Sequence, residues 1–126
     1  MASILRVNTL TDASSNNSTA MSTINQGTLK AWYTLGVDAV LDDSFNCGTI
    51  TDVAASDYTI AFTSNMANAL FSFTGGYLAT ADNPRVYFHN AIATSNIETA
   101  LLHSNDGAKD EGNVTSVKAQ IAGDLA

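Results

Sequence analysis

Two histidines, one cysteine and a few paired carboxylates are the first side chains to test for chemistry in this 126-residue sequence. His89 and His103 both fall in segments that read as strands. Neither has a third ligand or an orienting carboxylate at a fixed spacing, so no metal centre is expected, and both are read as strand histidines facing solvent or a partner subunit. A serine hydrolase would carry a Gly-x-Ser-x-Gly elbow, and the sequence has none. Asp42-Asp43 and Asp110-Glu111 pair carboxylates, and the loop Asn105 to Glu111 has enough oxygen to wrap a hard cation. Its glycine comes too early for an EF-hand and Lys109 sits inside it, so a solvated hairpin loop is expected. Cys47, with no cysteine to pair with, reads as core filler. The expectation is therefore no catalytic residue, no cofactor, no metal and no enzyme.

Composition points the same way. Thr, Ser and Asn account for 39 of the 126 residues, charged residues for only 13%, and two of the twelve acids are Glu. Threonine suits a pleated strand, Ser, Asn and Asp satisfy backbone groups in turns, and the strong helix formers Glu, Lys, Arg and Gln are scarce. An all-β protein follows. A net charge of −7 with five scattered bases cannot assemble a patch that neutralises phosphates, which argues against nucleic acid. No apolar run approaches the roughly 18 residues that a membrane-spanning helix needs, and Met1 to Leu10 lacks the features of a signal peptide, so no membrane insertion is expected.

The elements that would position these side chains divide at residue 27. Residues 1–27 hold a β-like run, Ile4 to Leu10, followed by a polar stretch with Ala20, Met21 and Ile24 as its notable apolar residues. Such a stretch cannot offset its ordering entropy and reads as an arm ordered by something outside the monomer. Residues 28–126 read as a β-sandwich domain. Leu29 to Leu35 is an aromatic-rich strand ending at Gly36, and Val37 to Leu41 leads into an acidic turn, Asp42-Asp43-Ser44. Phe45 to Thr51 and Asp57 to Thr63 form a hairpin across a five-residue connector, with Tyr58, Ile60 and Phe62 sharing one face. A strand from Ala69 meets Gly75-Gly76, where a bulge or bend is expected, and Ala81 to Pro84 is a turn. Arg85 to Ile92 is a strand, Ile97 to His103 a strand or a short helical turn, and Val114 to Ile121 a closing strand with Val117, Ala119 and Ile121 inward. Strands at intervals of about ten residues predict an antiparallel β-sandwich, jelly-roll-like, with an extended N-terminal arm.

Most aromatic residues are expected in the core. Tyr33 and Tyr87 are expected on the outward face, at a subunit interface or a glycan-stacking surface. The full candidate set for interface or receptor contact is Trp32, Tyr33, Tyr77, Tyr87 and His89.

The run Gly27-Thr28-Leu29-Lys30-Ala31-Trp32, then Asp43-Ser44-Phe45-Asn46, Thr49 to Asp52 and Asp57 to Thr63, resembles a family of small tail-fibre-like proteins of tailed bacteriophages, especially marine ones. The resemblance extends from the N-terminal segment to the closing Gly123-Asp124. It departs at Tyr33 to Asp38, Phe71-Ser72-Phe73 and Ala122, and is weakest over Gly75 to Ser104. It implies a structural virion protein: a homotrimeric tail-fibre or appendage subunit, assembled in the host cytoplasm. Its partners would be further copies of itself, other virion proteins through the arm, and host surface glycan or protein through loops of the β-domain. A capsid decoration or neck protein, or a carbohydrate-binding module, is the alternative. A coreless arm and surplus apolar strand faces suit three copies about a threefold axis.

Overall fold

The computed structural model describes residues 7–14, 18–36, 39–79, 84–104, 107–108 and 114–126. Ile4 to Arg6, Val37-Asp38, the expected turn Ala81 to Asn83 and the loop 105–113, apart from Gly107 and Ala108, lie outside them.

The fold is mostly strand. In chain order the elements are β1 (Thr9–Thr11), β2 (Ser18–Ala20), α1 (Met21–Gly27), β3 (Leu29–Gly36), β4 (Leu41–Phe45) and β5 (Cys47–Ala54). They continue with β6 (Asp57–Phe62), β7 (Ser72–Ala79), β8 (Arg85–Ile92), β9 (Asn96–His103) and β10 (Val114–Ala122). Strands β4-β3-β10-β7 form one antiparallel sheet and β5-β6-β9-β8 a second, while β1 and β2 pair on their own. The hairpins β3–β4, β5–β6 and β8–β9 each stay within one sheet.

Alternation builds the core. Ala31, Tyr33 and Leu35 of β3 and Val117, Ala119 and Ile121 of β10 cluster with Ile60 and Phe62 of β6 and Ile97 and Leu101 of β9. Both sheets thus bury their period-2 apolar face in one cluster, each large side chain contributing about 1.5–3 kcal/mol. Met66 and Phe71, from the segment between β6 and β7, close one end of it.

Several expectations change. The polar stretch Thr11 to Gly27 contains β2 and α1, and α1 is only seven residues long with no side-chain cap, below the length at which a helix is stable alone. It is held by its surroundings: the Met21 amide donates to the Asn8 carbonyl at 2.9 Å, and Thr28 Oγ1 donates to the Asn25 carbonyl at 3.0 Å. Asp42-Asp43-Ser44 is not a turn but the middle of β4. As the outer strand of its sheet, β4 points its acids to solvent, where charge discourages edge-to-edge pairing. The β5–β6 connector shortens to Ala55-Ser56, with Ser56 at φ 57°. Ile97 to Leu102 is strand, paired with both β6 and β8. No bulge sits at Gly75-Gly76: β7 runs straight through, and the register shift lies on β10 between Val114 and Ser116. Gly75 is needed for close approach instead, since a Cβ there would lie 2.5 Å from Tyr87 Cδ1.

Candidate functional site

The five residues expected at a contact surface do not form one site. Tyr33, expected outward, is 1% exposed, because Trp32 and Thr34 take the other face of β3. Tyr87 also turns inward, and its hydroxyl meets that of Tyr33 at 2.5 Å. Tyr87 donates to Thr99 Oγ1 at 3.0 Å, and Thr99 Oγ1 donates to the Tyr58 carbonyl at 3.4 Å. With each hydroxyl proton used once, Tyr33 must be the donor to Tyr87, so the chain of donors runs one way from β3 across to β8, β9 and β6. Burial, reinforced by Tyr87, pushes the Tyr33 phenol above its ordinary range; burial likewise pushes Tyr87 up to about 12, although the bonds to Thr99 and Tyr33 pull it back. Both stay protonated at neutral pH. This is a structural tie between sheets, not a contact surface.

Tyr77 and His89 lie along the seam between β7 and β8. Tyr77 is 37% exposed, and its hydroxyl accepts the Arg85 amide at 3.0 Å; the exposed His89 lays its ring edge-on to Phe73, centroids 5.7 Å apart. Cys47, half-buried at the start of β5, donates weakly to the Trp32 carbonyl at 3.6 Å, and burial pushes its thiol up to about 11. Among the described residues no three His, Cys, Asp or Glu side chains gather to hold a metal ion, and no helix is long and apolar enough to cross a membrane.

Trp32 alone of the five sits on the outer face of the β4-β3-β10-β7 sheet. Register places it directly between Phe45 on β4 and Gln120 on β10, with Thr74 of β7 next in the row. Thr34, paired with Asp43 and Lys118, forms the adjoining row on that face. Two residues before Trp32, Lys30 shares the same face and borders a cleft of about 560 Å³. One wall is α1, through Ser22, Asn25 and Gln26; the other is the C-terminal segment, through Asp124 and Leu125.

Both walls are fixed by hydrogen bonds. Lys30 Nζ donates to Thr28 Oγ1 at 2.6 Å, which itself secures the end of α1 through Asn25. Leu125 bridges to Met66, and the Asp124 carbonyl accepts the Ala67 amide at 2.8 Å. The sequence reading missed this cleft because its walls come from opposite ends of the chain. No protein-family model, curated protein or solved structure matches the chain.

Proposed function

We propose that this chain is a structural subunit of a tailed-phage virion, of the tail-fibre or appendage type, and that it works by holding and binding rather than by catalysis. The observation that carries this reading is that the described residues of 7–27 are exposed apart from half-buried Met21 and Ile24, which supports reading them as an arm beside a body of two sheets. An arm that exposes its apolar residues, among them Leu10 at 49%, is suited to docking on other virion proteins. The body is read as a β-sandwich, because both sheets feed one apolar cluster. A jelly-roll-like arrangement fits less well, since three hairpins each stay within a single sheet.

Assembly as a homotrimer is part of this reading, with arms and sheet faces buried about the threefold axis. Native mass measurement of the full chain at micromolar concentration is expected to give a trimer, and a monomer would overturn it. Deleting Met1 to Gln26 is expected to weaken the trimer; an unchanged trimer would make the arm an attachment tag. Immunogold labelling of particles made from the genome that encodes this chain is expected to mark the tail or its appendages. Label on the capsid or neck would favour a decoration or neck protein, and unlabelled particles would remove the virion reading.

A further inference from the structure

We propose that the open edge of β5 accepts an added strand from another protein, and that the strand it fits is an extended, basic peptide segment. The site lies outside residues 7–27 and does not depend on the virion reading.

Among the described residues the two four-stranded sheets leave four outer strands, and each exposes backbone groups that a further strand could bond. Three of them are covered or guarded. β7 and β8 face one another: the rings of Phe73 and Tyr87 meet edge-on with centroids 5.6 Å apart, and the Tyr77 hydroxyl accepts the Arg85 amide at 3.0 Å. β4 carries Asp42 and Asp43 side by side, both exposed. β5 has neither protection. Among the described residues the backbone–backbone bonds of Gly48 to Val53 go to β6 alone, and Thr49, Thr51, Asp52 and Val53 are exposed, Val53 at 54%. No residue from Cys47 to Thr51 is charged, no proline interrupts the strand, and Thr49, Ile50, Thr51 and Val53 are β-branched, which suits extended pairing. Register shifts between Cys47 and Ile50 and between Asp52 and Ala54 limit the regular stretch to Ile50–Asp52. Main-chain bonding is therefore short, and the partner needs a second source of affinity.

Charge supplies it. Between Lys30 and Arg85 the sequence has six aspartates and no basic residue. Within that stretch β5 and its two chain neighbours hold Asp42, Asp43, Asp52 and Asp57, and β4 is joined to β5 by Asn46 alone. The edge thus lies in a negative field, which attracts a strand bearing Lys or Arg and repels an acidic strand or a second copy with its net −7. Alternation lets one partner strand do both jobs, with β-branched residues on one face and cations on the other.

Three fluorescein-labelled peptides are titrated into the full-length protein: Lys-Val-Lys-Val-Lys-Val-Lys, its acidic counterpart Glu-Val-Glu-Val-Glu-Val-Glu, and Lys-Val-Lys-Pro-Lys-Val-Lys, which keeps the charge but breaks the ladder. Saturable binding of the first is expected, about tenfold or more tighter than either of the others, weakening as salt rises and slowing hydrogen exchange over Thr49 to Val53. Thr51→Lys places a cation on the exposed edge and is expected to weaken binding about fivefold. Gln120→Lys makes the same charge change on the outer face of the other sheet and is expected to alter binding less than about twofold, with thermal melts confirming that both variants are folded. Equal binding of the valine and proline peptides, undiminished binding in folded Thr51→Lys, or slowed exchange only away from β5 overturns the edge as the site. No binding of the basic peptide, or tighter binding of the acidic one, overturns the partner chemistry. Exchange over β5 that slows with protein concentration in the absence of peptide would place a second copy on the edge and overturn the proposal as well.

Discussion

The hydroxyl of Tyr33 lies 2.5 Å from that of Tyr87, 54 residues later and in the opposite sheet. This contact links the two sheets through polar atoms within the shared core, and removing Tyr87 strands the Tyr33 hydroxyl. Tyr87→Phe leaves the Tyr33 proton with no acceptor and takes a donor from Thr99, so a loss of about 1–3 kcal/mol is expected in urea unfolding. Tyr33→Phe removes only the terminal donor and is expected to lose about 1 kcal/mol. The double variant should lose less than the sum, and strict additivity would mean that the two hydroxyls do not interact.

The same pair sets an alkaline limit on stability. A buried phenol is favoured over its phenolate, so the folded chain keeps these protons above pH 10, the ordinary tyrosine value, while the unfolded chain releases them. Stability from this source is therefore complete below about pH 10 and lost as pH rises through about 12 for Tyr87, at up to about 1.4 kcal/mol per pH unit per group. Melting followed against pH, with tyrosinate absorbance read in parallel, is expected to show ionisation of Tyr33 and Tyr87 arriving with unfolding. A full phenolate signal from a still-folded chain would contradict the buried placement.

Gly75 and Gly76 are neighbours in β7 with opposite tolerances. A Cβ on Gly75 would lie 2.5 Å from Tyr87 Cδ1 and 2.9 Å from Phe73 Cζ, whereas one on Gly76 meets nothing within 4 Å. Gly75→Ala is expected to cost about 1–3 kcal/mol by overpacking, and Gly76→Ala to stay within about 0.5 kcal/mol of the parent. Equal effects in thermal melts would show that the close approach of β7 to Tyr87 is absent in solution.

Asn46 is the single residue between β4 and β5, where the chain passes from one sheet to the other, and it adopts φ 55°. Its side chain donates to the Lys30 and Ser64 carbonyls, both at 3.0 Å, and accepts the Ser64 amide at 2.6 Å. Asn46→Ala loses all three bonds and carries the left-handed penalty, so about 2–3 kcal/mol is expected. Asn46→Gly relieves the backbone and should recover about 1 kcal/mol of that. A glycine variant no more stable than the alanine variant would remove the conformational part of the argument.

Cys47 is expected to be slow toward thiol reagents. With its thiol pushed up to about 11 from 9.0, the thiolate fraction at pH 8 falls about a hundredfold relative to the unfolded chain. Labelling rates at pH 8 with and without urea should differ by at least that factor. Equal rates would place the sulfur in open solvent.

The alternation in Asp57 to Phe62 and Val117 to Ile121 was legible because strand periodicity is local: each side chain's face follows from its neighbours two residues away. The all-β class followed from the same local signals. The faces of Tyr33 and Tyr87 did not, because which side of a strand is buried depends on the sheet laid over it, and the two tyrosines that meet there are 54 residues apart. The acidic β4 was misread as a turn because an outer strand tolerates the same residues that turns prefer. The cleft bounded by α1 and residues 124–125 is likewise a product of tertiary structure alone, since the pairing of β10 with β3 places the segment after β10 beside the one before β3. The sequence by itself determined a chain of strands, because their periodicity is local; long-range pairing decided which aromatic residues became core and left Trp32 facing out.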